Sequence, residues 1–425
     1  MCGRSLPERR PSLLPQSISI MPVIQSSPDK AFTPVILGLF TGVTALIASE
    51  FIPVSLLTPI SEGLGITPGT AGQTVTAVGA AAFLTSLLIA PMLPGTDRGR
   101  LLLLFTFLTA LSNALIAWTD SVAVHFLARA LLGFCVGGFW SLSVSVVQRL
   151  VHLKALPKAF SIVYSGVSVA TLVALPGASA MSEAFGWRSV FWAAALLSAV
   201  TFVWQFLTMP AVKPNQSAGF SAMKEPLRDR RVVFGLFATF ASYAGYHTVF
   251  TYVRPVLEES AGLSPSGVSI ALLVYALVNV AGTLIAGKLY EKNFAPAFMA
   301  TALLALAAPI LMWALSGHIA VIGALILSAL VFGFIPVGWS VWMVRTVPGH
   351  TEVVGGLYVA VVQGSVGFAA NMGGMLYDVS GVMPLFLMSA AIALFGLLLI
   401  PGALFGRITG FSSARAASRS VEGAR

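Results

Sequence analysis

Residues 33–57 read TPVILGLFTGVTALIASEFIPVSLL, a long apolar run holding a single charged side chain, Glu50. A helix crossing a hydrocarbon layer needs roughly 20 apolar residues, and this run supplies them. The pattern recurs down the chain. Further apolar runs lie at about 70–93, 101–118, 122–148, 158–181, 188–209, 232–257, 265–289, 294–315, 318–344, 353–377 and 382–404. With the first they predict twelve transmembrane spans. Lipid offers the backbone no hydrogen-bond partner, so the spans are helices and the fold class is all-α. The alternating segments of roughly ten residues that mark a membrane barrel are absent.

Composition agrees. Of 425 residues, 57% are hydrophobic and 9% charged, whereas a soluble domain carries roughly 25% charged residues. The net charge of +9 does not point to nucleic acid, because the basic residues sit in short gaps between apolar runs. Arg98 and Arg100; Arg149, Lys154 and Lys158; Lys213, Lys224, Arg228, Arg230 and Arg231; Lys288 and Lys292; and Arg345 fill alternate gaps. The other gaps hold Glu62, Asp120, Glu183 with Arg188, Arg254 with Glu258 and Glu259, His318, and Asp378. The positive-inside rule then puts both termini in the cytoplasm. Cys2 and Cys135 are too far apart in context to form a disulfide scaffold.

The longest gap, 210–231, separates a six-span bundle at 33–209 from a second at 232–404. Residues 1–32 and 405–425 read as cytoplasmic tails, the first without order and with Met21 as an alternative start. Two six-helix pseudo-repeats moving about a central site are a transporter architecture. A membrane-embedded enzyme or sensor is the other reading, and it needs catalytic pairs facing one pocket.

Glu50 is the sharpest candidate. A carboxylate at membrane depth is costly and marks a functional site; such a group can load and release a proton. Arg129, in the fourth run, falls at a similar depth, roughly 12 Å in at ~1.5 Å per residue. An ion pair with Glu50 and a purely structural arginine bonded to carbonyls are both open. His247 can titrate near neutrality or make a helix–helix bond. Trp140, Tyr246 and Trp339 offer aromatic faces for a planar solute, or fill volume. The amide of Gln363 has both donor and acceptor for the edge of a heterocycle. Gly133, Gly137 and Gly138 suit close helix packing. Pro176 and Gly177 suit a helix that bends or slides. Tyr252 and Arg254 are further candidates for the site or else interfacial anchors, the second reading suiting Arg254 better.

No P-loop, HExxH motif or Cys/His metal cluster occurs, so no enzyme, metal or cofactor is expected, and the proton gradient is the implied energy source.

At these residues the chain resembles the major facilitator superfamily, drug/proton antiporter branch. Asp97-Arg98-Gly99-Arg100 after the second span is similar to its cytoplasmic motif. Arg129 with Gly133 is similar to its fourth-span motif, and Pro176 with Gly186-Trp187-Arg188 to its fifth-span motif. More specifically, Glu50 to Pro59, Gly137-Gly138-Phe139-Trp140, Thr251 to Pro255 and Pro336 to Ser340 resemble bacterial purine ribonucleoside efflux pumps. The resemblance implies proton-coupled export of inosine- or guanosine-like nucleosides and their analogues, with sugar or drug efflux as the alternative. It also implies a cavity lined by the first, fourth, seventh and tenth spans. Asp97, Arg98 and Arg100 would form a cytoplasmic latch, with Pro176 and Gly177 part of the conformational gate. The expected partners are a small-molecule substrate, protons and lipid, with a monomer as the oligomeric state.

Overall fold

The computed structural model describes residues 28–93, 95–151, 156–212, 224–315, 318–346 and 351–405. Met21 with the rest of residues 1–27, residues 406–425, Lys154 and linker residues 213–223 lie outside the described residues, whereas residues 28–32 of the expected first tail are helical.

The described chain is helical. In the first half, α1 is Pro28–Ser55, α2 the short Leu57–Leu64, α3 Pro68–Met92, α4 Arg98–Trp118, α5 Val122–Leu150, α6 Leu156–Phe185 and α7 Trp187–Thr208. In the second, α8 is Arg230–Phe250, α9 Pro265–Lys292, α10 Phe294–Ala314, α11 His318–Thr346, α12 Thr351–Ser380 and α13 Met383–Phe405. Eleven helices among the described residues are long and apolar enough to cross a membrane. The long helix outside that set is α8, whose Arg230, Arg231, Ser242, Tyr243, Tyr246 and His247 lower its hydropathy. It nonetheless packs along α12 and α13.

Helix starts obey ordinary capping. Thr67, Asp97, Ser121, Asp229 and Ser264 each accept a backbone N–H at the start of α3, α4, α5, α8 and α9. Gly65 and Gly186 take positive φ, 65° and 79°, where the chain leaves α2 and enters α7.

Packing within the halves follows one scheme. In the first, α1 packs on α6 and α7, α3 on α5, and α4 on α5 and α7. In the second, α8 packs on α12 and α13, α9 on α11, and α10 on α11 and α13. Two seams join the halves, α3 against α12 and α6 against α9. Glycines let the α3–α12 seam close: a side chain at Gly79 would strike the backbone of Gln363 and Gly367, and one at Gly69 the carbonyl of Gly374. Gly133 and Gly137 of α5 meet the α3 backbone at Val78 and Ala82 in the same way, the close packing expected of them.

α1 and α13 place Pro28 and Phe405 at what we call the near end of the bundle; Ser55 and the α8–α9 connection lie at the far end. Val54 and Leu175 of the first half are buried there among Val249, Val253, Val256 and Leu257 of the second.

Overpacking a tight seam costs about 1–3 kcal/mol. Gly79→Val is therefore expected to lower the thermal unfolding midpoint of detergent-purified protein by several degrees. Gly287→Ala, where added atoms meet open space, is expected to leave it unchanged.

Candidate functional site

The site begins with a proline. Pro53 lies inside α1 and has no N–H, so the carbonyl four residues earlier, on Ser49, lacks its helical donor. Arg129 of α5 supplies one: Nη1 donates to the Ser49 carbonyl at 2.8 Å and Nη2 to the Glu50 carbonyl at 3.3 Å. Asn113 of α4 donates to the Ser49 hydroxyl at 2.7 Å. Side chains from two helices thus grip one turn of α1, and Arg129 is fully buried (0% exposed) in doing so.

The ion pair between Glu50 and Arg129 is not formed in this structure. The guanidinium is taken by backbone carbonyls, the alternative reading of that arginine. The Glu50 carboxylate, 8% exposed, instead accepts a hydrogen bond from Gln363 Nε2 of α12 at 3.4 Å. That contact crosses between the halves and brings two expected site residues together.

The aromatic candidates separate. Trp140 stacks on Tyr164 of α6, with ring centroids 5.6 Å apart and planes 15° from parallel. Tyr164 is 44% exposed, with Trp140 stacked behind it. Its hydroxyl lies within electrostatic reach of Tyr358 on α12, and Tyr358 shares a 2.8 Å hydroxyl contact with Tyr243. Tyr246 lies flat on Phe332 at 3.8 Å and bonds the Tyr275 hydroxyl. Trp339 lies elsewhere. It is 1% exposed and packs edge-on against Phe298 and Trp342 inside the second half, because its place on α11 faces α9 and α10 rather than the first half.

His247 is buried among Tyr246, Phe250 and Phe332. Phe250 stands between it and Phe51, the neighbour of Glu50, so the path from one candidate to the other runs through aromatic carbon.

At the near end, Asp97 caps α4 through the Arg100 N–H at 2.9 Å, and Arg98 donates to the Leu93 carbonyl at 2.9 Å. Arg98 N–H also bonds the Val212 carbonyl. These contacts stay within the first half, and Arg100 is exposed. In α6, which runs unbroken through Pro176, Leu175 is buried against the second half while Gly177 faces open space.

Sequence reasoning missed several residues. Arg254 is no interfacial anchor: it is buried and donates from Nη1 to the Ser55 carbonyl at 2.8 Å and from Nε to Glu258 Oε1 at 2.8 Å. The spacing of four between Arg254 and Glu258 was the available signal. Asn113 carried a signal too, as an amide in an otherwise apolar run. Tyr164 carried none that distinguishes it from a packing aromatic.

Comparison with known proteins now has a frame. The family model described as Major Facilitator Superfamily matches residues 38–371. The chain belongs to that family. It is accordingly a multi-pass membrane transporter rather than an enzyme. The purine ribonucleoside efflux pump NepI of Escherichia coli strain K12 is 35% identical over 360 residues, covering 84% of this chain and 91% of the pump. The transcription regulatory protein OpdE of Pseudomonas aeruginosa is 36% identical over 368 residues, covering 84% of this chain and 90% of OpdE. Among solved structures, a point mutant of the nucleoside transporter NupG superposes with a TM-score of 0.66 at 14% identity, covering 87% of this chain and 99% of that one. A bacterial homologue of the human lysosomal transporter Spinster gives 0.65 at 17% identity, covering 89% and 96%. The fold is thus shared well beyond recognisable sequence.

Removing a buried Trp costs about 3–5 kcal/mol. Trp339→Ala is therefore expected to lower the unfolding midpoint while leaving apparent substrate affinity in the surviving protein unchanged. Tyr164→Ala is expected to do the reverse, weakening affinity with little loss of stability. Binding isotherms and thermal melts on the same preparations check both.

Proposed function

We propose that this chain exports purine ribonucleosides, inosine- or guanosine-like, and their analogues across the bacterial inner membrane in exchange for protons. The single observation that carries the coupling is the Glu50 carboxylate, held at membrane depth and touching Gln363 of the opposite half. A charge there must be neutralised or matched before the halves can part. The substrate class rests on similarity to relatives named as purine ribonucleoside efflux pumps.

In this reading the chain makes twelve spans in two six-helix repeats, 33–209 and 232–404, joined by a cytoplasmic linker at 210–231, with both tails cytoplasmic. The helix pairings support it. Each contact of the first half recurs six spans later, and the two seams exchange under the same operation. The near end then faces the cytoplasm and the far end the outside.

The heterocycle stacks on the exposed face of Tyr164, backed by Trp140, and the Gln363 amide reads its edge. Tyr243, Tyr246 and Tyr358 close the opposite wall. Glu50 takes a proton from outside once the far end has opened, and gives it up to the cytoplasm. Arg129 keeps the α1 turn in place throughout, and His247 adds a second titratable group beyond Phe250. Asp97, Arg98 and Arg100 latch the cytoplasmic side when the far end is open, with α6 bending near Pro176 and Gly177. The unit is a monomer, with no cofactor beyond the proton gradient.

Glu50→Gln separates coupling from binding. Nucleoside export driven by an imposed pH gradient in everted vesicles is expected to fall to background. Gradient-free nucleoside exchange in proteoliposomes is expected to persist, because the neutral amide mimics the protonated carboxyl and lets the halves part without a proton. Full gradient-driven export by Glu50→Gln removes the coupling role, and competition by arabinose-like sugars rather than inosine moves the assignment to sugar efflux.

A further inference from the structure

The far end carries a set of polar contacts that neither substrate binding nor the Glu50 site uses. Arg254 and Glu258 sit one turn apart at the end of the seventh span, where the helix passes into a π-helical turn over Val256–Ser260. They pair through Nε and Oε1 at 2.8 Å. Both then have a free valence aimed at the first half. Arg254 Nη1 donates to the Ser55 carbonyl, the last residue of α1, at 2.8 Å. Glu258 Oε2 accepts the Thr58 hydroxyl of α2 at 2.6 Å. Arg254 Nη1 also reaches the Ser179 hydroxyl of α6 at 3.4 Å, and Ser269 of α9 donates to Ser179 at 2.9 Å. At the other seam Asp378 of α12 accepts from the Gly69 N–H at 2.9 Å and the Thr67 hydroxyl at 2.6 Å.

We infer that Arg254 and Glu258 form a preassembled bolt that positions the end of α1 against the second half and holds the far end shut. The pair belongs wholly to the second half, so it survives when the halves part. What breaks is the donation of Arg254 Nη1 to Ser55 and to Ser179, and the acceptance by Glu258 from Thr58. Charge-assisted bonds of this kind are the strong ones while water is excluded. Arg254 nevertheless borders a surface hollow lined by Pro59, Glu62, Ser182, Glu183 and Trp187. Water entering from there can take over both partners as the gap widens. The bolt is therefore firm when closed and cheap to release. Ser55 lies five residues beyond Glu50 on the same helix, so the bolt and the Glu50–Gln363 contact restrain one short segment from its two sides. Both must let go, along with the Asp378 contacts at the other seam, for the far end to open. This inference rests on the two-half exporter reading for the direction in which the far end faces.

The test uses full-length protein without cysteines (Cys2→Ser, Cys135→Ser) carrying one reporter at a time. Leu175→Cys sits in the closed far-end seam, and Tyr164→Cys on the half-exposed wall toward the near end. A membrane-impermeant maleimide reads the first in right-side-out vesicles and the second in everted ones. Arg254→Gln is expected to speed labelling of Leu175→Cys about tenfold and to slow labelling of Tyr164→Cys, the signature of a population shifted toward the open far end. Thr58→Val removes a single inter-half bond at nearly constant volume and is expected to shift both rates the same way by about threefold. It keeps the test decisive if Arg254→Gln fails to insert. Unchanged rates in Thr58→Val overturn the inference, as does faster labelling at both reporters, which marks general loosening instead. The rates are read without substrate, so a chain that moves no nucleoside but shows the opposed shifts keeps the bolt and loses only the substrate assignment.

Discussion

A carbonyl that its own helix cannot serve organises this molecule. Pro53 withholds the donor owed to Ser49, and inside a membrane no water replaces it. Arg129 fills that role, and its two Nη groups are in turn taken up by carbonyl dipoles on α1, Nε alone finding no partner. A buried guanidinium is expensive unless its donors are used, so proline and arginine each make the other tolerable. The arrangement commits Arg129 to the backbone and leaves the Glu50 carboxylate for Gln363, across the divide. A second arginine, Arg254, then repeats the theme from the opposite half at Ser55, where α1 ends. One helix end is held by cations from both sides.

Much of the architecture was legible in the sequence because lipid is an unforgiving solvent. Apolar runs of span length fix helices, and the placement of Lys and Arg fixes the alternation of connections. α8 shows where that reading strains, since Tyr243, Tyr246 and His247 make a helix of the interior look too polar for lipid. The depth of Glu50 was legible for the same reason. Its partner was not. Depth alone paired it with Arg129, whereas the donor that Pro53 removes from Ser49 decides where the guanidinium goes. The aromatics divide along a similar line. Trp339 and Tyr164 look alike as letters in apolar runs, and only the rotation of α11 and α6 puts one in the core and the other on a wall. Arg254 lay near a span end, where anchoring is the usual fate of Arg; the Ser55 carbonyl and the Glu258 carboxylate are what hold it inside.

The glycine-lined contact of α3 with α12 has a mechanical consequence. There the backbones of Gly69 and Gly79 approach those of Gly374 and Gly367, and at Gly79 main chain meets main chain with no side chain between. Two rods touching on bare main chain cannot slip lengthwise by a fraction of a turn, since each ridge would climb onto the next residue's Cβ. They can still tilt about the line of contact. A joint of that shape is a knife-edge fulcrum: stiff in translation, compliant in rotation, and set to swing between discrete packings instead of drifting continuously.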